Sequence, residues 1–507
     1  MNATHKASHK GIVYIVGAGP GDRNLITLRG VECLQKADVV IYDLLLNNAL
    51  LDHCPAHTEK IQAPDPRIRA TRQTELNHLL IQHAKEGKVV VRLKGGDPYI
   101  FGRGGEEAME LVKAGIPFEI VPGVTSAIAA TAYAGIPVTH RDYASSVAFV
   151  TGHSTAIHPE SNIKWNYLAT AVDTLVIYMG VAHLQQIVDL LIKHGRDAQT
   201  PVSLIRVGTT PQQLVVQGTL SDIVEKVETA QLTSPALIVV GEVNQLRDQL
   251  RWFDTKPLFG KRILVTRARP QASDFSELLE EKGAEVIQFP TIEITPLEKT
   301  VIPTPEKYDW IVFTSVNAVE IYYQYLLRNG KDTRAFGGIK ICAVGPKTVE
   351  TINQIGMRPD FVPSHASGKT VATELNDVDG KKILLPRAKI ATPTLPNILR
   401  ERGAIVDDVP LYDTVKVTSE NCNAVETDLL DGNIDIVTFT SSSTVTNFLD
   451  MFPARTAKDL LANVRIAVIG PTTETTAQQH GINVDIVAQE TTIESLTDAI
   501  VESYSNY

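Results

Sequence analysis

Short runs of β-branched and other apolar residues alternate with longer amphipathic stretches along the whole chain. The clearest apolar runs cover residues 12–16, 39–42, 89–93, 175–179 and 237–240. Strands buried on both faces of a parallel sheet read as such continuous apolar runs, and the amphipathic stretches between them are typical of crossover helices. The pattern therefore predicts an α/β fold.

The alternation lapses around residues 247–260, and a new strand is predicted over 261–266. A chain of 507 residues that is 43% hydrophobic is too long for one ordinary core and can fill several. We therefore expect two domains, at residues 11–253 and 261–503, joined by a linker at 254–260.

The second half contains an internal repeat, in which three strand-and-turn segments occur twice. The paired segments begin at Lys261 and Lys382, at Asp309 and Asp435, and at Ile341 and Ile466. Two copies are too few for a solenoid, so the repeat predicts a bilobal α/β domain. Two similar lobes commonly form a ligand site between them.

Charge and cysteine content exclude several classes of protein. The formal net charge of −10 argues against nucleic-acid binding, which needs a positive field. The four cysteines show no metal-ligand or disulfide spacing, so no metal is expected and a reducing cytoplasm is favoured. The polar start lacks a signal-peptide core, and no apolar run approaches the roughly 18 residues of a membrane span. We expect a cytoplasmic protein without membrane or nucleic-acid partners.

A glycine-rich loop, Gly17-Ala-Gly19-Pro20-Gly21-Asp22, follows the first predicted strand. It approaches the dinucleotide fingerprint GxGxxG, but Asp22 takes the place of the third glycine and Pro20 removes a backbone donor from the phosphate-facing turn. A nicotinamide site is therefore disfavoured. Taken alone, the loop is most simply a tight strand-to-helix turn.

Two further clusters indicate a ligand. Residues 92–107 contain more glycines than a structural turn needs, which lets a ligand approach the backbone, and Asp97 can accept hydrogen bonds from a ribose or an amino group. The cluster Val121-Pro-Gly123-Val-Thr125-Ser126 places hydroxyl groups at a strand-to-helix turn, where backbone N–H groups are free.

These clusters, with segments 121–141, 150–153, 175–181 and 234–253, resemble uroporphyrinogen-III C-methyltransferase, of the tetrapyrrole methylase family, over residues 11–253. The resemblance implies a bilobal α/β fold that holds S-adenosylmethionine between its lobes and releases S-adenosylhomocysteine. It implies two methylations of uroporphyrinogen III, through precorrin-1 to precorrin-2, for sirohaem or cobalamin synthesis. It also suggests a homodimer formed through this domain.

The resemblance carries a set of site residues over to this sequence. The implied cofactor contacts are Pro20, Gly95, Gly96, Asp97, Ile100, Thr125, Ser126, Met179 and Gly208. Asp43 corresponds to a family proton acceptor, and Arg103 is assigned to the tetrapyrrole. Without the resemblance, Met179 is more simply core packing and Asp43 a helix cap.

One family residue has no counterpart in this chain. The family has a Gly-Lys-Arg segment whose lysine is assigned as a proton donor, where this chain reads Ile61-Gln-Ala-Pro64-Asp65-Pro66-Arg67. The lysine is dispensable, or Lys60 or Arg67 substitutes for it, or methylation is impaired. Dispensability is favoured, because the methyl donor is already activated and the pyrrole needs mainly positioning.

Residues 261–500 resemble uroporphyrinogen-III synthase, chiefly at hydroxyl-rich turns after predicted strands. The resemblance implies closure of linear hydroxymethylbilane to uroporphyrinogen III with inversion of the last ring, and Tyr412 matches a family tyrosine that assists the departing hydroxyl. The substrate-binding candidates are Arg267, Ser315, Thr348, Arg387, Thr440, Ser441 and Thr472. Helix capping for the hydroxyl residues and solvated surface positions for the arginines are the simpler interpretations.

Two other functions stay open at this point. The first domain resembles methylases in general, so it can act on a different precorrin, although segments 92–107 and 135–141 favour uroporphyrinogen. Paired lobes also suit a non-catalytic ligand-binding protein, against which the methylase clusters count.

Overall fold

The structure, a computed structural model, describes residues 11–44, 46–63, 72–153, 163–267, 269–297, 301–365, 367–416 and 422–505. Two compact units separate between Lys261 and Arg262, and residues 279–285 group with the first. Both units are α/β, which confirms the predicted fold class. Within the described ranges, no helix is both long and apolar enough to cross a membrane.

The segment predicted as a linker, residues 254–260, belongs to the first unit, where Leu258 is fully buried. Phe253, just before this segment, is also buried, and its ring lies 5.4 Å from that of Phe259. The segment is thus packed by apolar side chains. The domain bounds 11–253 and 261–503 remain predictions.

The first unit contains two five-stranded sheets. Its strands are β1 (Ile12–Gly17), β2 (Val39–Tyr42), β3 (Glu59–Gln62), β4 (Val89–Lys94), β5 (Phe118–Val121), β6 (Val147–Thr151), β7 (Thr174–Tyr178), β8 (Pro201–Arg206), β9 (Leu214–Thr219) and β10 (Ala236–Val240). Its helices are α1 (Leu28–Leu34), α2 (Arg72–Lys85), α3 (Gly104–Lys113), α4 (Ser126–Tyr133), α5 (Trp165–Ala171), α6 (Leu184–Lys193), α7 (Ile223–Thr229) and α8 (Arg247–Leu250).

The sheet of the first lobe is parallel, with the order β3-β2-β4-β1-β5, and that of the second lobe is mixed, with the order β6-β7-β10-β8-β9. Alternate residues of one strand enter different cores: Val39 and Ile41 pack on one side of the first sheet and Val40 on the other. Successive strand side chains point to opposite faces, so both faces are covered. The continuous apolar runs of the sequence follow from this double burial.

The remaining strands are β11 (Arg262–Val265), β12 (Glu285–Gln288), β13 (Ile292–Pro296), β14 (Trp310–Phe313), β15 (Lys340–Ala343), β16 (Lys382–Ala388), β17 (Ile405–Lys416), β18 (Ile436–Phe439), β19 (Arg465–Val468) and β20 (Ile486–Val487). The remaining helices are α9 (Arg269–Glu281), α10 (Val316–Arg328), α11 (Pro346–Gln354), α12 (Gly368–Glu374), α13 (Thr394–Glu401), α14 (Cys422–Leu430), α15 (Ser442–Asp450), α16 (Ala457–Leu460), α17 (Pro471–Gln479) and α18 (Ile493–Ser505).

The second unit also has two lobes, and the internal repeat is divided between them. One sheet has the order β12-β11-β18-β19-β20 and the other the order β13-β17-β16-β14-β15. The repeat pairs β11 with β16, β14 with β18 and β15 with β19, so each sheet combines strands of both copies. The bilobal prediction is confirmed, with the addition that neither copy of the repeat forms a lobe by itself.

Candidate active sites

Three glycine-bearing loops meet at the end of β1 and β4 in the first unit. Gly19 and Gly96 form a bridge, in which the Gly96 N–H donates to the Gly19 carbonyl at 2.8 Å. A Cβ added to Gly123 would lie 2.3 Å from the Gly96 carbonyl oxygen and 2.7 Å from the Cα of Gly17. The three clusters that the sequence singles out are thus one site, and the backbones approach too closely for any side chain at Gly123.

Replacing Gly123 with alanine is therefore expected to lower the stability of the first unit by about 1–3 kcal/mol, because the methyl group meets backbone atoms that cannot rotate away. A lower thermal unfolding midpoint, together with weaker binding of S-adenosylhomocysteine, is the expected result. Gly105→Ala is the matched control for stability, since a Cβ at Gly105 meets nothing within 4 Å. Equal midpoints for the two variants would contradict the close approach.

Gly95 and Gly96, in the second cluster, leave open space. A Cβ at Gly95 would meet nothing nearer than 3.9 Å, and one at Gly96 nothing nearer than 3.8 Å. Packing therefore does not demand glycine at either position, although Gly96 has a φ of 67°, which favours it. Bare backbone next to open space fits a ligand that approaches the chain closely.

Asp97 and Thr125 join the loops. The two carboxylate oxygens of Asp97 accept hydrogen bonds from the backbone N–H groups of Tyr99 at 2.8 Å and of Gly123 at 3.0 Å. The Thr125 hydroxyl lies 2.6 Å from the hydroxyl of Tyr178, which also accepts the Ala127 N–H at 3.0 Å. Both predicted contacts therefore have internal partners that fix the loops, and Tyr178 is a site residue that the sequence analysis missed.

An open cleft of about 590 Å³ lies beside these loops. It is lined by Pro98, Tyr99, Phe101, Arg103, Gly104, Gly105, Glu106, Thr151, His153 and Met179. The cleft brings together the second cluster and the ends of β6 and β7, so it contains residues of both lobes of this unit. It includes two of the predicted site residues, Arg103 and Met179.

Three residues that line the cleft have left-handed backbones: Phe101, Arg103 and Met179, with φ of 53°, 59° and 56°. Such a conformation costs a residue with a Cβ about 1–2 kcal/mol. It persists where the surrounding structure holds it, and strain of this kind clusters at functional sites. Met179 is also 50% exposed, so its side chain is not core packing.

The other predicted cofactor contacts border the same region. Pro20 is half-buried in the loop after β1, and Ser126 is the first residue of α4. Ile100 is 36% exposed next to Phe101. Gly208 follows β8, where a Cβ would lie 2.4 Å from the Cβ of Ala130.

Asp43 is hydrogen-bonded to a buried network of charged side chains. The Arg92 guanidinium donates to one Asp43 oxygen and, at 3.4 Å, to Glu107, and the Gly95 N–H donates to the other Asp43 oxygen at 3.2 Å. Lys94 donates to Glu107 at 2.9 Å. The side chains of Arg92 and Lys94 are 4% exposed and that of Glu107 is fully buried, whereas Asp43 is 35% exposed. Asp43 is thus the member of the network that reaches solvent.

The network holds Asp43 as a carboxylate. Burial opposes its ionisation, but the charges of Arg92 and Lys94 and the hydrogen bonds outweigh burial and lower the pKa of Asp43. Burial and the charge of Arg92 in turn lower the pKa of Lys94. Two cations in the otherwise apolar central strand β4 are the sequence signal for this network, because a buried charge requires a partner.

Arg92→Gln is expected to move the acid limb of the methylation pH profile to higher pH by about one unit. In its predicted role as the proton acceptor, Asp43 acts only when ionised, so activity should be lost as the pH falls through its pKa. Removing Arg92 leaves burial less opposed and raises that pKa. The measurement is the methylation rate against pH. Arg29→Gln is the control, because Arg29 forms ion pairs with Glu32 and Glu119 at the surface. An acid limb that does not move in the Arg92 variant would exclude control of the Asp43 pKa by Arg92.

Most of the segment that stands where the family has its lysine falls outside the described residues. Pro64, Asp65 and Arg67 lie outside the described residues. Lys60 is exposed on β3, at the edge of the first sheet. Asp43 lies at the end of the adjacent strand β2, so Lys60 and Asp43 are on different strands of the sheet.

In the second unit, two predicted residues of one lobe lie in contact. Tyr412 on β17 is 5% exposed, and its hydroxyl lies 3.0 Å from the Ser315 hydroxyl. Ser315 also caps α10, where it accepts the Ala318 N–H at 3.2 Å. The capping interpretation holds for Ser315, which in addition orients the tyrosine hydroxyl.

The other lobe repeats the cap without the tyrosine. Ser441 forms a capping box with Thr444 at the start of α15. Thr440 is half-buried beside it, and the exposed Thr472 accepts, through its carbonyl, the Ser442 hydroxyl at 3.3 Å. These hydroxyl residues form one polar patch at two adjacent helix starts.

The prediction for Arg387 requires a correction. Its guanidinium donates through Nε to Asp408 at 2.6 Å, through Nη2 to the same carboxylate and through Nη1 to the Thr392 carbonyl at 2.6 Å. All three guanidinium nitrogens thus donate to internal acceptors, and these hydrogen bonds, which stabilise the lobe, oppose the predicted contact with a substrate carboxylate. Arg267 is half-buried, and burial lowers its pKa, while Thr348 is buried in α11.

Among the described residues, no three His, Cys, Asp or Glu side chains are grouped as a metal site would require.

Family comparison identifies both halves of the chain. Residues 12–224 match the family described as Tetrapyrrole (Corrin/Porphyrin) Methylases, and residues 273–498 match Uroporphyrinogen-III synthase HemD.

Similar proteins cover the chain in whole and in part. Porphyrin biosynthesis protein HemD of Ruminiclostridium josui is 38% identical over 506 residues, covering 97% of this chain and 98% of that protein. Uroporphyrinogen-III C-methyltransferase of Priestia megaterium is 53% identical over 234 residues, covering 46% of this chain and 98% of that protein. A solved structure of uroporphyrin-III C-methyl transferase from Thermus thermophilus, complexed with S-adenyl homocysteine, is 38% identical and covers 46% of this chain and 93% of that one, with a TM-score of 0.39. The chain therefore belongs to the family of porphyrin biosynthesis proteins that join a uroporphyrinogen-III C-methyltransferase to a uroporphyrinogen-III synthase.

Proposed function

We propose that the first unit binds S-adenosylmethionine and methylates uroporphyrinogen III twice, giving precorrin-2, and that the second unit makes uroporphyrinogen III from hydroxymethylbilane. The observation that carries the methylase assignment is the contact between Asp43 and the Gly95 N–H at 3.2 Å. It places an ionised carboxylate directly on the glycine cluster that borders the cleft.

The residues present fit S-adenosylmethionine. The open backbone at Gly95 and Gly96 leaves room for a ligand, and Met179 and Phe101 supply apolar surface in the cleft. When bound, the cofactor supplies an activated methyl group. Because the donor is already reactive, the protein has mainly to position the substrate and remove a proton.

Asp43 is the residue that we assign to proton removal. Its carboxylate is kept ionised by Arg92 and Lys94 and is held in one orientation by Arg92 and the Gly95 N–H. The pyrrole carbon that takes the methyl group already bears a carboxylate side chain and has no hydrogen, so the added positive charge must be discharged by loss of a proton elsewhere on the ring system. A positioned carboxylate of this kind can accept that proton. Arg103, half-exposed at the rim of the cleft, is suited to a substrate carboxylate, although it pairs with Glu106.

In the second unit, we assign Tyr412 as the acid that assists loss of the hydroxyl from hydroxymethylbilane. Ser315 orients its hydroxyl, and burial among apolar side chains keeps water from competing. Hydroxymethylbilane also closes unaided to the wrong isomer, so the larger part of the task is to hold its last ring inverted.

The direct test is to incubate the full chain with hydroxymethylbilane, with and without S-adenosylmethionine, and to identify the tetrapyrroles. We expect uroporphyrinogen III without the cofactor and precorrin-2 with it. Uroporphyrinogen I alone would exclude the synthase assignment. An unmethylated type III product in the presence of the cofactor would exclude the methylase assignment.

A further inference from the structure

A closed circuit of four hydrogen bonds links the two lobes of the first unit. The Tyr133 hydroxyl donates to Asp22 at 2.6 Å, and the Asp22 N–H donates to the Thr209 hydroxyl at 3.1 Å. The Thr209 N–H donates to the Gln213 side chain at 3.0 Å, and the Gln213 amide donates back to the Tyr133 carbonyl at 3.3 Å. We call these four residues the Tyr133 circuit.

The Tyr133 circuit joins two loops that carry assigned cofactor contacts. Asp22 ends the glycine loop after β1, two residues beyond Pro20, in the first lobe. Thr209 follows Gly208 directly, in the turn between β8 and β9 of the second lobe. Tyr133 is the last residue of α4, the helix that begins at Ser126. Three segments of the proposed cofactor site are therefore tied together at one point.

The geometry at this point is tight. Thr209 is 2% exposed and has a φ of 70°, and Val207 has a φ of 43°. Both are β-branched residues, for which a left-handed backbone is particularly unfavourable. A Cβ at Gly21 would lie 2.7 Å from the Thr209 hydroxyl. A strained turn persists only where its surroundings hold it, and the hydrogen bonds of the circuit are such a restraint.

Tyr133 is itself held from behind. Its ring centroid lies 5.0 Å from that of Trp252 and 4.8 Å from that of Phe253, and the Trp252 indole donates to the Ala132 carbonyl at 3.0 Å. Burial and the neighbouring Asp22 raise the pKa of Tyr133 above its usual range, so its hydroxyl remains a donor. The phenol is thus held in one position, and its hydrogen bond to Asp22 fixes the end of the glycine loop.

We propose that Tyr133 is a positioning residue of the methylase, which fixes the spacing of the two cofactor-binding loops through Asp22 and Thr209. The inference rests on the proposed binding of S-adenosylmethionine by this unit. Loops that are held in the bound arrangement lose less conformational entropy on binding, so the circuit should strengthen cofactor affinity. Asp43 is held by a different set of contacts, so proton removal should be unaffected.

The test uses the full chain and the Tyr133→Phe variant, with S-adenosylhomocysteine as the probe in calorimetry. We expect the dissociation constant, and the KM for S-adenosylmethionine, to rise about tenfold while kcat changes less than about twofold. Tyr308→Phe is the matched control, because the Tyr308 hydroxyl also donates to a carboxylate, that of Asp407 at 2.5 Å, but in the second unit. Its affinity for the probe should equal that of the wild type.

Asp22→Asn is the second variant, should Tyr133→Phe fail to fold. Asparagine caps the short 3-10 helix Arg23–Leu25 as well as aspartate does, but it offers a weaker acceptor to Tyr133. We therefore expect the KM for S-adenosylmethionine to rise in this variant too. Wild-type affinity in a folded variant, or a fall in kcat without a change in KM, overturns the role of Tyr133. Failure of the wild-type protein to bind the probe instead overturns the proposed cofactor site.

Discussion

Replacing Asp43 with asparagine should lower the rate of methylation at saturating S-adenosylmethionine by about 10³-fold, within the range usual for a positioned general base. The amide keeps the shape of the side chain and can still accept from Arg92, but it cannot take up a proton. Cofactor affinity should change little, because Asp43 contacts the glycines of the cluster through a single hydrogen bond, from the Gly95 N–H. Methylation of supplied uroporphyrinogen III is the measurement.

Two comparisons make this result specific. Asp52→Asn removes a carboxylate from an exposed position on the short helix that follows Asp43 in the chain, and it should methylate at the wild-type rate. Synthase activity of the Asp43 variant should also be unchanged, because Tyr412 belongs to the other unit. A methylation rate near the wild-type value would reduce Asp43 to a partner that stabilises buried Arg92.

Tyr412→Phe should slow formation of the type III isomer by about 10²-fold, at the lower end of the range for general acids. The change removes a single oxygen from a side chain packed in the core of its lobe, so the fold should be retained. Hydroxymethylbilane that is not processed closes unaided, so the ratio of type I to type III product should rise. Chromatographic separation of the two isomers measures both effects.

Tyr325→Phe is the matched control for this prediction. The Tyr325 hydroxyl donates to the Ile302 carbonyl at 2.9 Å in the same lobe, away from Ser315. Its loss should leave the isomer ratio unchanged. If Tyr412→Phe retains the wild-type ratio as well, the hydroxyl of Tyr412 serves only to fix Ser315, and the acid must be sought elsewhere.

Apolar periodicity predicted the fold well because most of the strands are buried on both faces. Runs such as residues 39–42 and 237–240 contain no charged residue or strong turn former that would favour a different secondary structure or a different strand register. The repeat revealed the two lobes of the second unit for a similar reason, since its strand and turn patterns return nearly unchanged. What it does not reveal is the partner of each strand, because pairing between distant strands is decided by tertiary packing.

The site was predictable at its glycines and less so at its charges. Glycine density marks the loops that meet near Gly96, because close backbone approach excludes other residues at Gly17 and Gly123. By contrast, the sequence assigns no role to Arg92 or Glu107, because Arg92 links Glu107 to Asp43, which is 49 positions from Arg92 in the chain. Arg387 was assigned to the substrate from its place in the repeat, yet Asp408, which neutralises it, is not at a position that the repeat marks.

The divided repeat of the second unit sets the order in which its lobes can form during synthesis. The lobe built from β13–β17 is continuous in sequence, so it can fold as soon as residue 416 has left the ribosome. The lobe that begins with β11 and β12 has to wait for β18, its central strand, which starts only at Ile436. Until then the edge of β11 that pairs with β18 has no partner, and an unpaired strand edge is prone to aggregation in a nascent or truncated chain. Chains that end between these two points should therefore contain one folded lobe and one exposed strand.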